Sequence, residues 1–245
     1  MRISWGRIGE AALALIALTL AIPVLALAVC AIWIEDRGPL LYRAERVGRG
    51  GQCFAMLKLR TMVADADLLG GRLAPDSDPR VTRAGRVLRR WKIDELPQFW
   101  NVLRGEMAIV GPRPDLPCGV ELYSAQERQL LVVRPGITCF ASLVFLDEGR
   151  LLDSVPDPLA HYEAAIRPLK HRLGLLYLET RSLRRDAAIV MLTALALPAR
   201  PFALRRLAAM LHAAGAASDL VQLARRSGAP SAAGRGWSGQ MPRVS

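Results

Sequence analysis

Residues 11–39 read AALALIALTLAIPVLALAVCAIWIEDRGP, and the first charge after Ala11 is Glu35. At about 1.5 Å per residue this apolar run makes roughly 36 Å of helix, enough to cross the hydrocarbon core of a bilayer. A cleaved leader has a shorter apolar core and a small-residue cleavage site, whereas this run ends in IWIEDRGP. Pro23 sits halfway along, where it removes a backbone hydrogen bond and tends to bend a helix. Arginines flank the run on both sides, Arg2 and Arg7 before it and Arg37, Arg43 and Arg46 after it. This favours a re-entrant hairpin, bent at Pro23, that enters and leaves on the cytoplasmic face. Proline is also tolerated in ordinary spanning helices, so a full span stays open.

The remainder of the 245 residues is enough for one domain and an appendage. A net charge of +11 points to an anionic partner: lipid headgroups, a nucleotide's phosphates or nucleic acid. Cys30, Cys53, Cys118 and Cys139 form no CxxC pair, and the three histidines no HExxH cluster, so neither a disulfide framework nor a zinc site is indicated. Residues 38–62 read as two extended segments around the turn VGRGGQ. Residues 80–96, RVTRAGRVLRRWKIDEL, predict a helix with Arg83, Arg86 and Arg90 on one face. Pro97 suits the first turn of the next helix, residues 97–106. MAIVGPRPDLP ends in a proline-stiffened loop, VVRPGITCFASLVF resembles a turn into a strand, and the chain to Leu197 is mostly helical. The expected fold class is therefore α+β, mostly helical, with a small β-hairpin. Its expected divisions are an anchor over 1–36, a catalytic domain over 37–197, and a basic Ala/Arg-rich, partly disordered tail over 198–245.

Within WKIDELPQFWN, residues 91–101, Asp94 and Glu95 stand together after a dense basic run. Adjacent carboxylates repel, so they call for a cation, a phosphate-handling task or full solvation. At a helix junction behind Arg83, Arg86, Arg89, Arg90 and Lys92, an anionic substrate could be brought to an anionic side chain. Nucleophilic attack by a carboxylate on phosphorus needs such neutralisation by Arg, Lys or Mg²⁺. Taken alone, the pair also fits an exposed helix cap.

The strings KLRTM (58–62), DPRVTRAGRVLRRWKIDELPQFWNVLRGEMAIVGPRPDLP (78–117) and RPGIT (134–138), behind one proline-containing apolar segment, closely resemble the bacterial sugar transferase family. These are monotopic phosphoglycosyl transferases, and the resemblance runs from about Gly6 to Leu197. It implies transfer of a sugar 1-phosphate from a UDP-sugar to undecaprenyl phosphate, with Mg²⁺ required and UMP released, at the cytoplasmic face of the inner membrane. It makes Asp94 the nucleophile that forms a covalent phosphosugar, and Glu95 with Asp94 the metal ligands. Lys58, Arg60 and Arg89 become candidates for phosphate contact, and Pro112, Arg113 and Pro114 for the nucleotide's site. A catalytic core at the membrane surface fits a lipid-phosphate acceptor, and the basic surface fits anionic lipids, at about 1 kcal/mol per Lys or Arg near the surface. The chain departs from the family where Ile22 replaces a serine before Pro23 and where Cys139 follows Pro-Gly-Ile-Thr. The second departure bears on the choice of sugar.

Two other readings compete. A membrane-tethered nucleic-acid-binding protein would interleave aromatic or amide side chains with its basic face, and RVTRAGRVLRR offers none, so no nucleic-acid partner is expected. A non-catalytic scaffold of glycan assembly would use the tail after Pro198. A homo-oligomer is compatible with either membrane reading.

Overall fold

The computed structural model describes residues 5–66, 68–70, 73 and 75–227. The chain divides into two compact units, one built from residues up to 72 with 77–137, the other from 73–76 with the chain from 138 on. The last stretch expected to be disordered, 228–245, lies outside the described residues.

The first unit opens with α1 (Trp5–Glu35) and the antiparallel hairpin β1 (Leu41–Val47) and β2 (Cys53–Leu59). α1 is one helical element with Pro23 inside it. Both of its ends are tied to this same unit. Arg7 donates to the Leu103 carbonyl at 2.7 Å, Glu10 accepts from Arg134 at 2.5 Å and from the Ile109 N–H at 2.9 Å, and Glu35 accepts from the Arg83 N–H at 2.7 Å. Between these ties Ala14, Ala21 and Ala28 are buried at seven-residue spacing, small enough to bring the helix close to its neighbours. Leu13, Ile16, Leu20, Leu27 and Ile34 face outward, each more than half exposed. The stretch Gly6–Glu35 is long and apolar enough to cross a membrane.

The hairpin pairs Leu41 with Leu59 and Val47 with Cys53, and its turn uses Gly50 and Gly51 in the left-handed region. Alternation sends Ala44 and Met56 inward to meet Ala14, Val102 and Met107. After a loop come α2 (Arg83–Arg90), a single 3₁₀ turn (Ile93–Glu95), α3 (Gln98–Arg104), β3 (Ala108–Val110), α4 (Pro117–Glu121) and β4 (Gly136–Thr138), which pairs with β3. Gly85 lets α2 approach β2's end, since a Cβ there would lie 2.0 Å from the Thr61 carbonyl oxygen. Asn101 joins α3 to β2 as a neighbouring strand would. Its Oδ1 accepts from the Leu57 N–H at 2.9 Å, and its Nδ2 donates to the Ala55 carbonyl at 2.8 Å.

The second unit contains α5 (Phe140–Val144), α6 (Glu148–Asp153), α7 (Pro158–His161), α8 (Arg167–Thr180), α9 (Leu183–Ala213) and α10 (Ser218–Ser227). The strand expected within VVRPGITCFASLVF is three residues long, Gly136–Thr138, and gives way to α5. The helix α9 continues through Pro198 with a kink at Ala199, and α10 folds back along it. Leu204, Leu207 and Leu211 are fully buried at helical spacing, so the helix beyond Pro198 packs through an apolar stripe. Tyr177 donates to Asp186 at 2.9 Å, and Arg172 holds Asp219 through two hydrogen bonds of 2.6 and 3.0 Å.

Asn101 is completely buried, so its loss leaves a strand N–H and a carbonyl without partners. The variant Asn101→Ala is expected to lose about 2–4 kcal/mol of stability, measured by urea unfolding with an unchanged denaturant slope.

Candidate active site

The 3₁₀ turn that carries the two carboxylates begins from an unusual backbone. Lys92 has φ 55°, the single positive φ at a non-glycine residue among those described. This left-handed residue ends α2 and redirects the chain, so that Ile93 packs beside Leu59 and Leu88 while Asp94 turns inward. Leu96 and Pro97 are helical, and α3 follows at once.

The neighbouring acids occupy opposite surroundings. Asp94 is buried, 6% exposed, and its Oδ1 has no hydrogen-bond partner. Glu95 is gripped by three bonds: Arg113 reaches Oε2 through Nη1 at 2.9 Å and Oε1 through Nη2 at 3.0 Å, and Lys58 Nζ reaches Oε1 at 3.2 Å. The forked guanidinium matches both carboxylate oxygens, a geometry that a lysine could not reproduce. Arg113 is itself fixed by donating to the Ile137 carbonyl at 2.6 Å.

Burial pushes the Asp94 carboxyl above the ordinary range, and the negative charge of Glu95 adds to this, against the pull of Lys58, Lys92 and Arg89. Burial alone would raise Glu95 too, but the Arg113 guanidinium, with Lys58 and Lys92, overrides it and holds that carboxyl well below its usual range. One carboxylate is thus neutralised by direct partners, and the other has no such partner at Oδ1.

Of the residues singled out in the sequence, Lys58, Arg113, Asp94 and Glu95 converge in space. Arg89 donates to the Thr61 hydroxyl at 2.8 Å, and its charge acts on Asp94. Pro112 and Pro114 hold Arg113 between them and line a shallow hollow with Asp115, Tyr123 and Pro135. Arg60 stands elsewhere: it is buried against the end of α1, 3.2 Å from the Asp36 carboxylate, where it also donates to the Asp36 carbonyl. Gln98 was not singled out. It is fully buried and neither atom of its amide has a partner, although it starts the helix that Asp94 leads into. Its signal was the spacing to Asn101 and Val102, which puts a polar residue on α3's buried face.

Two adjacent carboxylates whose titration is shifted in opposite directions, with cations around them, mark a candidate functional site. Residues 2–200 match the bacterial sugar transferase family, and the chain belongs to it. It is 40% identical over 176 residues to the UDP-glucose:undecaprenyl-phosphate glucose-1-phosphate transferase of Caulobacter vibrioides, covering 70% of this chain and 61% of that one. It is 39% identical to the UDP-N-acetylgalactosamine-undecaprenyl-phosphate N-acetylgalactosaminephosphotransferase of Aeromonas hydrophila, over 54% of this chain and 32% of that one. It is also 39% identical to the exopolysaccharide production protein ExoY of Rhizobium meliloti, over 50% of this chain and 61% of that one. The matches thus span from about a third to about three fifths of these relatives' lengths.

The two carboxylates should affect stability with opposite sign. A raised carboxyl takes stability away as pH climbs from its unfolded-state value through its folded one, so Asp94→Asn should melt higher than wild type at pH 7, with the gain vanishing below about pH 4. A depressed carboxyl contributes stability above its unfolded-state value and loses it as pH falls through the folded one. Glu95→Gln should therefore be about 1–3 kcal/mol less stable at pH 7, and the deficit should shrink in acid. Thermal melts from pH 3 to 8 check both, and a shared sign would contradict the asymmetry.

Proposed function

We propose that the chain is a phosphoglycosyl transferase that moves a sugar 1-phosphate from a UDP-sugar to undecaprenyl phosphate through a covalent aspartyl-phosphosugar. The observation that carries this reading is the contrast between Asp94, a buried carboxylate without a partner, and Glu95, locked by Arg113 and Lys58. An oxygen of Asp94 attacks the sugar-bearing phosphorus. The bond from that phosphorus to the bridging oxygen breaks, and UMP leaves with the electron pair. A phosphate oxygen of undecaprenyl phosphate then attacks the same phosphorus and expels Asp94 as carboxylate, giving the polyprenyl-diphosphate sugar. Neither step requires a net proton transfer. Two bulky anions react in turn at one place, which spares the site from holding their phosphates side by side.

Arg113, Lys58 and Arg89 are the cations placed to offset the phosphate charge as it approaches Asp94. Mg²⁺ fits the same residues: it takes hard oxygen donors, one or two carboxylates with the rest from waters and substrate phosphates, and Asp94 Oδ1 is a buried carboxylate oxygen with nothing to accept from. Asp94 and Glu95 would hold it, and it would supply further neutralisation of the phosphates.

The membrane part of the reading rests on α1. Its outward face is apolar, and its two ends meet one unit, which suits insertion from the cytoplasmic face better than a straight crossing. A catalytic unit so anchored meets the lipid-phosphate acceptor at headgroup level and the soluble donor in the cytosol. Anionic lipids would hold its arginine-rich surface. Such a product begins glycan assembly, as in exopolysaccharide synthesis.

The test is UMP release by purified, detergent-solubilised protein with Mg²⁺ and a panel of UDP-sugars, with and without undecaprenyl phosphate. Lipid-dependent release from one donor is expected, lowered by at least about 10³-fold in Asp94→Asn. Release that survives this substitution would remove Asp94 from the mechanism. A folded protein that releases UMP from no donor would favour a scaffold role.

A further inference from the structure

We propose that Glu35, the last residue of α1, is a positioning residue for the Asp94–Glu95 pair and acts through α2. The first N–H groups of a helix have no partner within it and must find one elsewhere. In α2 all four are accounted for. Glu35 accepts from the Arg83 N–H through Oε1 and from the Ala84 N–H through Oε2, both at 2.7 Å. Thr82 accepts from the Gly85 N–H through its hydroxyl at 2.9 Å, and its own N–H, at the cap position, donates to the Thr61 carbonyl at 3.1 Å. Half of the cap of α2 is thus supplied by the apolar helix, across 48 and 49 residues of sequence.

The same end of α1 reaches the dyad by packing. Ala28 and Ile32 are buried with Leu59 and Leu88, and Ile93, the residue immediately before Asp94, packs on this cluster. From Arg83 to Arg90 α2 is only two turns long, so a shift at its first turn is carried to its last. There Arg89 and the left-handed Lys92 hand the chain over to Asp94. The outer surface of α1 is the apolar one, so the element fixed by lipid is also the element that fixes α2. The consequence is that the seating of α1 in the bilayer sets where the carboxylates stand.

Glu35 is exposed, so its truncation opens no cavity and leaves the fold in place. The proposal rests on the transferase reading for its kinetic half and on the membrane reading for the part played by lipid. In full-length protein in nanodiscs, Glu35→Ala should speed amide exchange over residues 83–96. It should also lower kcat by about 10–100-fold with KM for the donor within about twofold, as a misplacement of about 1 Å does. Glu35→Gln keeps a carbonyl that can accept from one N–H and should recover most of the rate. Unchanged exchange over 83–96, or faster exchange with unchanged kcat, overturns the proposal, as does a fall in kcat that Gln does not relieve. If wild type releases no UMP from any donor, the transferase reading fails and exchange over 93–96 decides alone: acceleration there in Glu35→Ala supports the proposal, and none overturns it.

Discussion

The bidentate grip of Arg113 on Glu95, reinforced by Lys58, is the interaction on which the site depends. Three separate parts of the first unit meet in it: the end of β2, the turn after α2, and the loop between the β3 and β4 strands. It also settles how two adjacent acids coexist inside a protein. Their mutual repulsion is removed from one member by direct cationic partners, and what remains falls on the other. Asp94 is consequently held ready, with burial and its neighbour both opposing its charge and no hydrogen bond to quench it. A carboxylate in that condition gains by forming a bond to an electrophile, which is the property a nucleophile requires.

The apolar helix is part of this arrangement as well as an anchor. Its polar flanks, Arg7, Glu10 and Glu35, all bond to the unit that carries the dyad, and its alanine stripe lies against that unit's core. Arg60 strengthens the junction by pairing with Asp36 just past the end of α1. One helix therefore carries both the apolar face open to a membrane and the contacts that reach the site, which suits a reaction whose acceptor is proposed to be a lipid.

Local patterns were legible in the sequence. The glycines after Val47 marked the hairpin, Pro97 marked the start of α3, and the Asp94–Glu95 pair marked the turn on which the cations converge. The resemblance of the motifs supplied Lys58, Arg89 and Arg113 as its companions. Contacts that depend on distant segments were not legible. Asn101 reads as an ordinary helical residue until β2 is brought beside it, and Glu35 reads as the edge of an apolar run until α2 arrives. Arg60 shares its motif with Lys58, but two residues along a strand keep the same face only while the strand lasts, and beyond Leu59 the chain leaves β2. The kink at Ala199 was not legible either, since the buried leucines on its far side continue the helical stripe.

The central claim is that Asp94, and not Glu95, carries the transferred group. Intact-protein and peptide mass spectrometry, after exposing the protein to its UDP-sugar donor without a lipid acceptor and quenching in acid, tests it most directly. The account predicts a mass gain of one phosphosugar on the peptide containing Asp94, retained in Glu95→Gln given time and absent in Asp94→Asn. An adduct on Glu95, or turnover to lipid-linked product with no adduct on either carboxylate under any quench, would contradict it.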